Sequence, residues 1–155
     1  MDLVRRFTPE QFASALESWT WIDEALGTLV PTLATAFGDV FLQGADGALW
    51  FLDTAEGTLV RTWPGGEAFM SALDTPEVQD RYLMAPLALA AEAAGLVAGE
   101  SEVLCFTVPP ILGGQFELSN VDVADFEMTV NIAGQIHEQV RGTATGTAID
   151  GINIE

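Results

Sequence analysis

Residues 37–63 read FGDVFLQGADGALWFLDTAEGTLVRTW, and this stretch restricts the fold more than any other. Three short runs, 40–43, 48–53 and 58–63, are rich in aromatic and branched side chains. Each gap between them carries an acidic residue followed by glycine, Asp46-Gly47 and Glu56-Gly57. Glycine takes the positive φ that tight hairpin connections need without a steric penalty, so the pattern predicts a three-stranded meander. The acidic residues Asp39, Asp46, Asp53 and Glu56 fall at its strand ends and turns. Such residues serve as turn formers on a solvated edge or as the rim of a partner-binding surface, and the sequence leaves both readings open.

The flanking segments supply helices and further strands. Thr8-Pro9-Glu10-Gln11 is a helix start, with Thr8 as cap, Pro9 at the first helical position and Gln11 closing a capping box. Phe12, Leu16, Trp19, Ile22 and Leu26 then recur at helical spacing, which predicts one helix over 8–26 ending at Gly27. Pro31 interrupts 28–36, which reads as an extended connection into the meander. Beyond the meander, a short helix is expected over 67–73 and a longer one from a Thr75 cap to about 94, divided or kinked at Pro86. The apolar run 103–108 reads as an interior strand, and 115–121 as another. Phe126, Met128, Val130 and Ile132 alternate with polar residues, which predicts a half-buried strand. Ala133-Gly134 then turns into a short helix holding Ile136 and Val140, 142–146 is loose, and Ile149, Ile152 and Ile154 suggest a last edge strand. Helices and strands fall in blocks and do not alternate. The expectation is one α+β domain over 1–155, mainly an antiparallel sheet built on the meander and packed against N-terminal and central helices.

Charge narrows the partners. The 155 residues carry 23 acidic and 5 basic side chains, a formal net charge of −18, and every basic residue is an arginine. That field repels phosphate backbones and anionic membranes and speeds encounter with a cationic surface, so neither nucleic acid nor membrane is an expected direct partner. Arg5 and Arg6 are followed by no apolar run that would make a signal sequence, and the most apolar window, 83–98, is interrupted by Pro86, Glu92 and Gly95. With a single cysteine, no intrachain disulfide forms, and the chain reads as cytoplasmic.

Absences limit the chemistry. Without lysine there is no phosphate-binding Walker loop and no Schiff base. His137 is the only histidine, which excludes multi-histidine metal sites; sitting between Gln135 and Gln139, it reads as a surface residue. Cys105, inside an apolar run, reads as a packed core cysteine whose thiolate is disfavoured. The four tryptophans read as core or rim packing. The sequence therefore predicts no catalytic residue, no metal site and no cofactor. A carboxylate hydrolase using a divalent ion is the enzymatic alternative, and no ligand set or nucleophile motif supports it.

Five segments occur together in order: SWTWIDEAL at 18–26, the meander at 37–63, TPEVQDRYL at 75–83, FTVPPILGG at 106–114 and VNIAGQIHEQVR at 130–141. In this order and spacing the chain resembles, over nearly its whole length, the family named for the C-terminal domain of a type VI secretion immunity protein. That protein protects bacteria against a DNase effector. The family is often found beside a GAD-like domain, and the residues ahead of the meander here read only as a short helical segment. The resemblance implies an α+β, bacterial, cytoplasmic domain that binds a cognate toxin, a basic nuclease effector, and blocks it without doing chemistry. It supplies no catalytic residues. The acidic positions Asp39, Asp46, Asp53 and Glu56 are then the expected partner-binding residues. The alternative is a general interaction scaffold, similar to the yeast-glucan-regulator-like (SMI/KNR-like) group, with no toxin partner.

Overall fold

The computed structural model describes residues 3–141 and 154–155. Its centre is an antiparallel sheet of five strands in sequence order: β1 (Val4–Arg5), β2 (Val30–Thr35), β3 (Val40–Gln43), β4 (Leu49–Asp53) and β5 (Thr58–Trp63). The predicted meander forms β3 to β5, with Gly47 and Gly57 at φ of 87° and 74° in its two turns. The extended connection at 28–36 is itself a paired strand. Its ladder with β3 shifts register between Pro31 and Leu33, a bulge that accommodates a residue without an N–H.

Alternation along the strands decides the layering. Ala34, Val40, Leu42 and Leu52 face one side and Leu33, Phe41, Leu49 and Phe51 the other, and all are buried. A sheet apolar on both faces needs a cover on each. On the first face lie α1 (Pro9–Leu16) and the long helix α5 (Phe126–Val140), contributing Phe12, Trp19, Phe126 and Val130. On the second lie α2 (Gly66–Leu73) and the segment after α3 (Pro76–Arg81), contributing Phe69, Tyr82 and Leu83. A third cluster joins α4 (Ala85–Ala93) to a two-stranded sheet of β6 (Glu102–Phe106) and β7 (Val121–Asp125) through Phe37, Ala88, Leu104 and Val121. The fold is α+β, as expected.

Four segments differ from the sequence expectation. The N-terminal helix ends at Leu16 and continues as separate 3-10 turns at Glu17–Trp19 and Glu24–Thr28, the second capped by Asp23 on the Ala25 N–H at 2.8 Å. The break lets Ser18, Trp19 and Trp21 each donate to a carbonyl of α5, at Asn131 (2.6 Å), Val130 (2.8 Å) and Gly134 (3.2 Å). Pro86 does divide the central helix, as expected: Met84 turns left-handed at φ 49°, and Pro86 sits in the first turn of α4, where its missing N–H costs no helical bond. The strand expected at 103–108 stops at Phe106, and 115–121 is a loop with a 3-10 turn, Leu118–Asn120, leading into β7. Finally, 126–132 is not a strand, and 133–134 is not a turn, because both lie inside α5. Asp125 caps that helix on the Met128 N–H at 2.9 Å, and its buried residues include Phe126, Val130, Gly134 and His137. Residues 142–146, Ile149 and Ile152 lie outside the described residues, and Ile154 is in no strand. Among the described residues, no helix is long and apolar enough to cross a membrane.

Candidate partner-binding site

The β4–β5 turn organises one end of the sheet. The Asp53 carboxylate accepts from the N–H groups of Ala55 and Glu56, both at 3.0 Å, and Gly57 closes the turn onto the Asp53 carbonyl at 2.8 Å. Gly57 also makes room for a side chain from α5, since a Cβ there would lie 2.5 Å from His137 Nδ1. His137 Nε2 lies 2.8 Å from the Thr54 carbonyl oxygen. A carbonyl only accepts, so Nε2 carries the proton. The ring ties the long helix to the meander turn.

Asp39 meets the same turn from the other side. Its Oδ1 accepts from the Thr54 N–H at 2.8 Å and hydroxyl at 2.7 Å, and its Oδ2 accepts from the Thr35 hydroxyl at 3.1 Å. Only 2% exposed, it is out of reach of a protein partner. Burial, and next the nearby charge of Asp53, push its pKa up to about 6, against the opposing pull of the threonine hydrogen bonds.

Two clefts open beside this turn. The first, of about 350 Å³, runs between α5, the β6–β7 sheet and the loop after β6, with Phe37, Met84, Phe106, Met128, Ile132 and Ile136 among its lining residues. Asp39 and His137 lie along its wall, and Cys105 and Asp122 border it. The Cys105 thiol is half-buried, and burial and then Asp122 raise its pKa, so its thiolate is disfavoured. The second cleft, of about 400 Å³, shares Asp39, Ala55 and Met84 with the first and carries Asp53, Glu56, Asp80 and Arg81 along with Tyr82 and Phe116. Arg81 stacks over the Tyr82 ring at 5.1 Å.

The four acidic residues singled out in the sequence do not form one patch. Asp46 sits in the β3–β4 turn, where it accepts from the Ala48 N–H at 3.1 Å and pairs with Arg61 at 3.3 Å. The Ala48 hydrogen bond, more than Arg61, lowers its pKa. In an antiparallel meander, successive turns lie at opposite ends of the shared strand, so Asp46 is separated from Asp53 by the length of β4, roughly 17 Å. Asp39 is in the wall, not on the rim. Only Asp53 and Glu56 border an open surface together. Sequence reasoning missed Asp80 and Asp122, which the fold brings to the two clefts, and it placed His137 on the surface, whereas the ring is 5% exposed. The signal for His137 was its place eleven residues after Phe126 and seven after Val130, on the same face of a helix. Among the described residues, no three of His, Cys, Asp and Glu are grouped to hold a metal ion.

No family model matches the chain, and no curated protein matches it. Among solved structures it is similar to one described as the crystal structure of Atu4351 from Agrobacterium tumefaciens, with a TM-score of 0.53 at 16% identity. The likeness covers 86% of this chain, which spans 66% of the length of that one, and it is a likeness of fold.

Proposed function

We propose that this chain is a non-enzymatic immunity protein that binds a cognate secreted antibacterial toxin, a nuclease effector, in the bacterial cytoplasm and neutralises it. The observation that carries the reading is the charge: −18 over 155 residues, with no lysine. A nuclease presents a basic surface to hold phosphates, and an acidic protein occupies that surface by offering carboxylates in their place. The sequence resemblance to the type VI immunity family supports the same reading. Asp53, Glu56 and Asp80 lie around one cleft, where they can meet a basic surface together.

Co-expression tests it. The product of the gene adjacent to this one is expected to be toxic to a bacterial host alone and tolerated when this chain is present. A non-toxic product, or toxicity that this chain leaves unrelieved, contradicts the proposal. The second reading, an interaction scaffold without a toxin, is favoured by one feature: apolar side chains exposed on the loop after β6, including Val108 and Phe116, which suit a protein partner of any kind.

A further inference from the structure

Exposed apolar side chains cluster in the loop after β6 and beside it on α5. Of the twelve large apolar residues exposed among the described residues, six are Val108, Ile111, Leu112, Phe116, Leu118 and Met128. Ile111 and Met128 line the first cleft, and Phe116 the adjoining one, so part of this exposed apolar surface runs into the cavities. Contiguous apolar surface of this kind marks an interaction site more often than scattered single residues do.

The loop carrying this patch has a fixed shape. Asn120 accepts from the Val108 N–H at 2.9 Å and donates to the carbonyls of Val108 at 2.9 Å and Gln115 at 3.0 Å. Between them, Pro109 and Pro110 begin a 3-10 turn whose carbonyls are taken up by Leu112, Gly113 and Gly114. A lip held this way loses little conformational entropy on binding. The two most buried polar groups along the wall are already engaged: Asp39 with Thr35 and Thr54, and His137 Nε2 with the Thr54 carbonyl. They shape the cavity, whose remaining lining is mostly apolar. At about 350 Å³ it falls near the lower end of the roughly 300–1,000 Å³ of ligand pockets. That is a volume for one or two side chains.

Charge selects what presents those side chains. Asp122 borders the apolar cleft, and Asp53, Glu56 and Asp80 border the adjoining one, against Arg81 as the one cation there among the described residues. We propose that the cleft between α5, the β6–β7 sheet and the β4–β5 turn is an anchor site for a large apolar side chain on a protein segment whose flanking residues are arginine or lysine. The apolar anchor supplies residence time and the carboxylates supply register and partner choice. This deepens the immunity reading, on which it rests for the identity of the partner, by naming the feature of a toxin that the chain grips.

Methyl NMR on the full chain, labelled at methionine and isoleucine, tests the site without the toxin. The probes are three synthetic peptides: Arg-Arg-Phe-Leu-Arg-Arg, the same with serine in place of Phe-Leu, and the same with glutamate in place of arginine. The first is expected to shift the methyls of Met84, Met128, Ile111 and Ile132 in a saturable way while Met70 and Ile22 stay fixed. The other two are expected to bind at least about tenfold more weakly. Met128→Arg, at a position 53% exposed, should abolish the shifts, and Met70→Arg, 58% exposed, should leave them. Equal shifts with all three peptides, shifts confined elsewhere, or an unaffected M128R variant overturns the proposal. So do cleft shifts that appear with protein concentration alone, which put a second copy there, or cross-peaks that put another part of this chain there. Peptide binding without relief of toxicity removes the immunity reading and leaves the anchor site standing; relief that survives M128R does the reverse.

Discussion

Asp39 is a carboxyl group surrounded by its own hydrogen-bond donors and yet held above its ordinary pKa, because burial and the charge of Asp53 outweigh the threonines. With a folded-state value of about 6 against an ordinary 3.8, the native state binds its proton more tightly than the unfolded chain does. Its contribution to stability is therefore greatest below about pH 4 and falls as pH rises toward 6, by up to about 3 kcal/mol across the window, then levels off. Asp39→Asn keeps an oxygen for Thr54 and cannot ionise. Urea unfolding between pH 4 and 7 should show the wild-type stability falling relative to the variant through this window; parallel curves would contradict the account. The sequence misleads at this residue for a physical reason. Asp after glycine in a turn signals a solvated cap, and nothing local reveals that Thr54, fifteen positions on, folds over it. Asp53 is legible as a turn residue, since its carboxylate caps two N–H groups of its own turn.

At the scale of elements, α5 is where local pattern and tertiary packing part. Phe126, Met128, Val130 and Ile132 alternate as a strand would, but Phe126, Val130 and Gly134 follow at four-residue intervals, and that face is the buried one. Met128, 53% exposed, belongs to the cleft side, so an apolar residue at an exposed position imitates the two-residue period. Gly134 is where α5 approaches the segment after α1. A Cβ there would lie 2.9 Å from Trp19 Cδ1 and closer still to the Ser18 hydroxyl, the group that bonds the Asn131 carbonyl. Gly134→Ala should therefore destabilise the protein by about 1–3 kcal/mol despite the better helix propensity of alanine. Gly27, where a Cβ would meet no atom within 4 Å, is the comparison: Gly27→Ala should be close to neutral. Equal urea midpoints for the two variants would contradict this packing. The meander is legible because its signals are local, a turn glycine between apolar runs. The loop after β6 is not, because its shape comes from Asn120 reaching back twelve residues to Val108.

For the whole molecule, the sheet is a middle layer with helices on both faces, and the clefts form where the β4–β5 turn, α5 and the β6–β7 sheet meet. Among the described residues, Arg81 is the one arginine that borders the clefts, set against Asp53, Glu56, Asp80 and Asp122. Arg61 pairs with Asp46 at the far end of β4, and Arg141 stacks over Trp21 at 5.1 Å. An exposed pair such as Arg61–Asp46 contributes little stability, so the charge excess is better understood through encounter with a partner than through folding. The direct measurement is the association rate between this chain and the product of the adjacent gene, followed across ionic strength. The account predicts a rate that falls steeply as salt rises and falls further in a Glu56→Arg, Asp80→Arg double variant, with dissociation little changed. Asp53 is left intact because it holds the turn. A rate indifferent to salt and to both substitutions, or the absence of a complex, would contradict it.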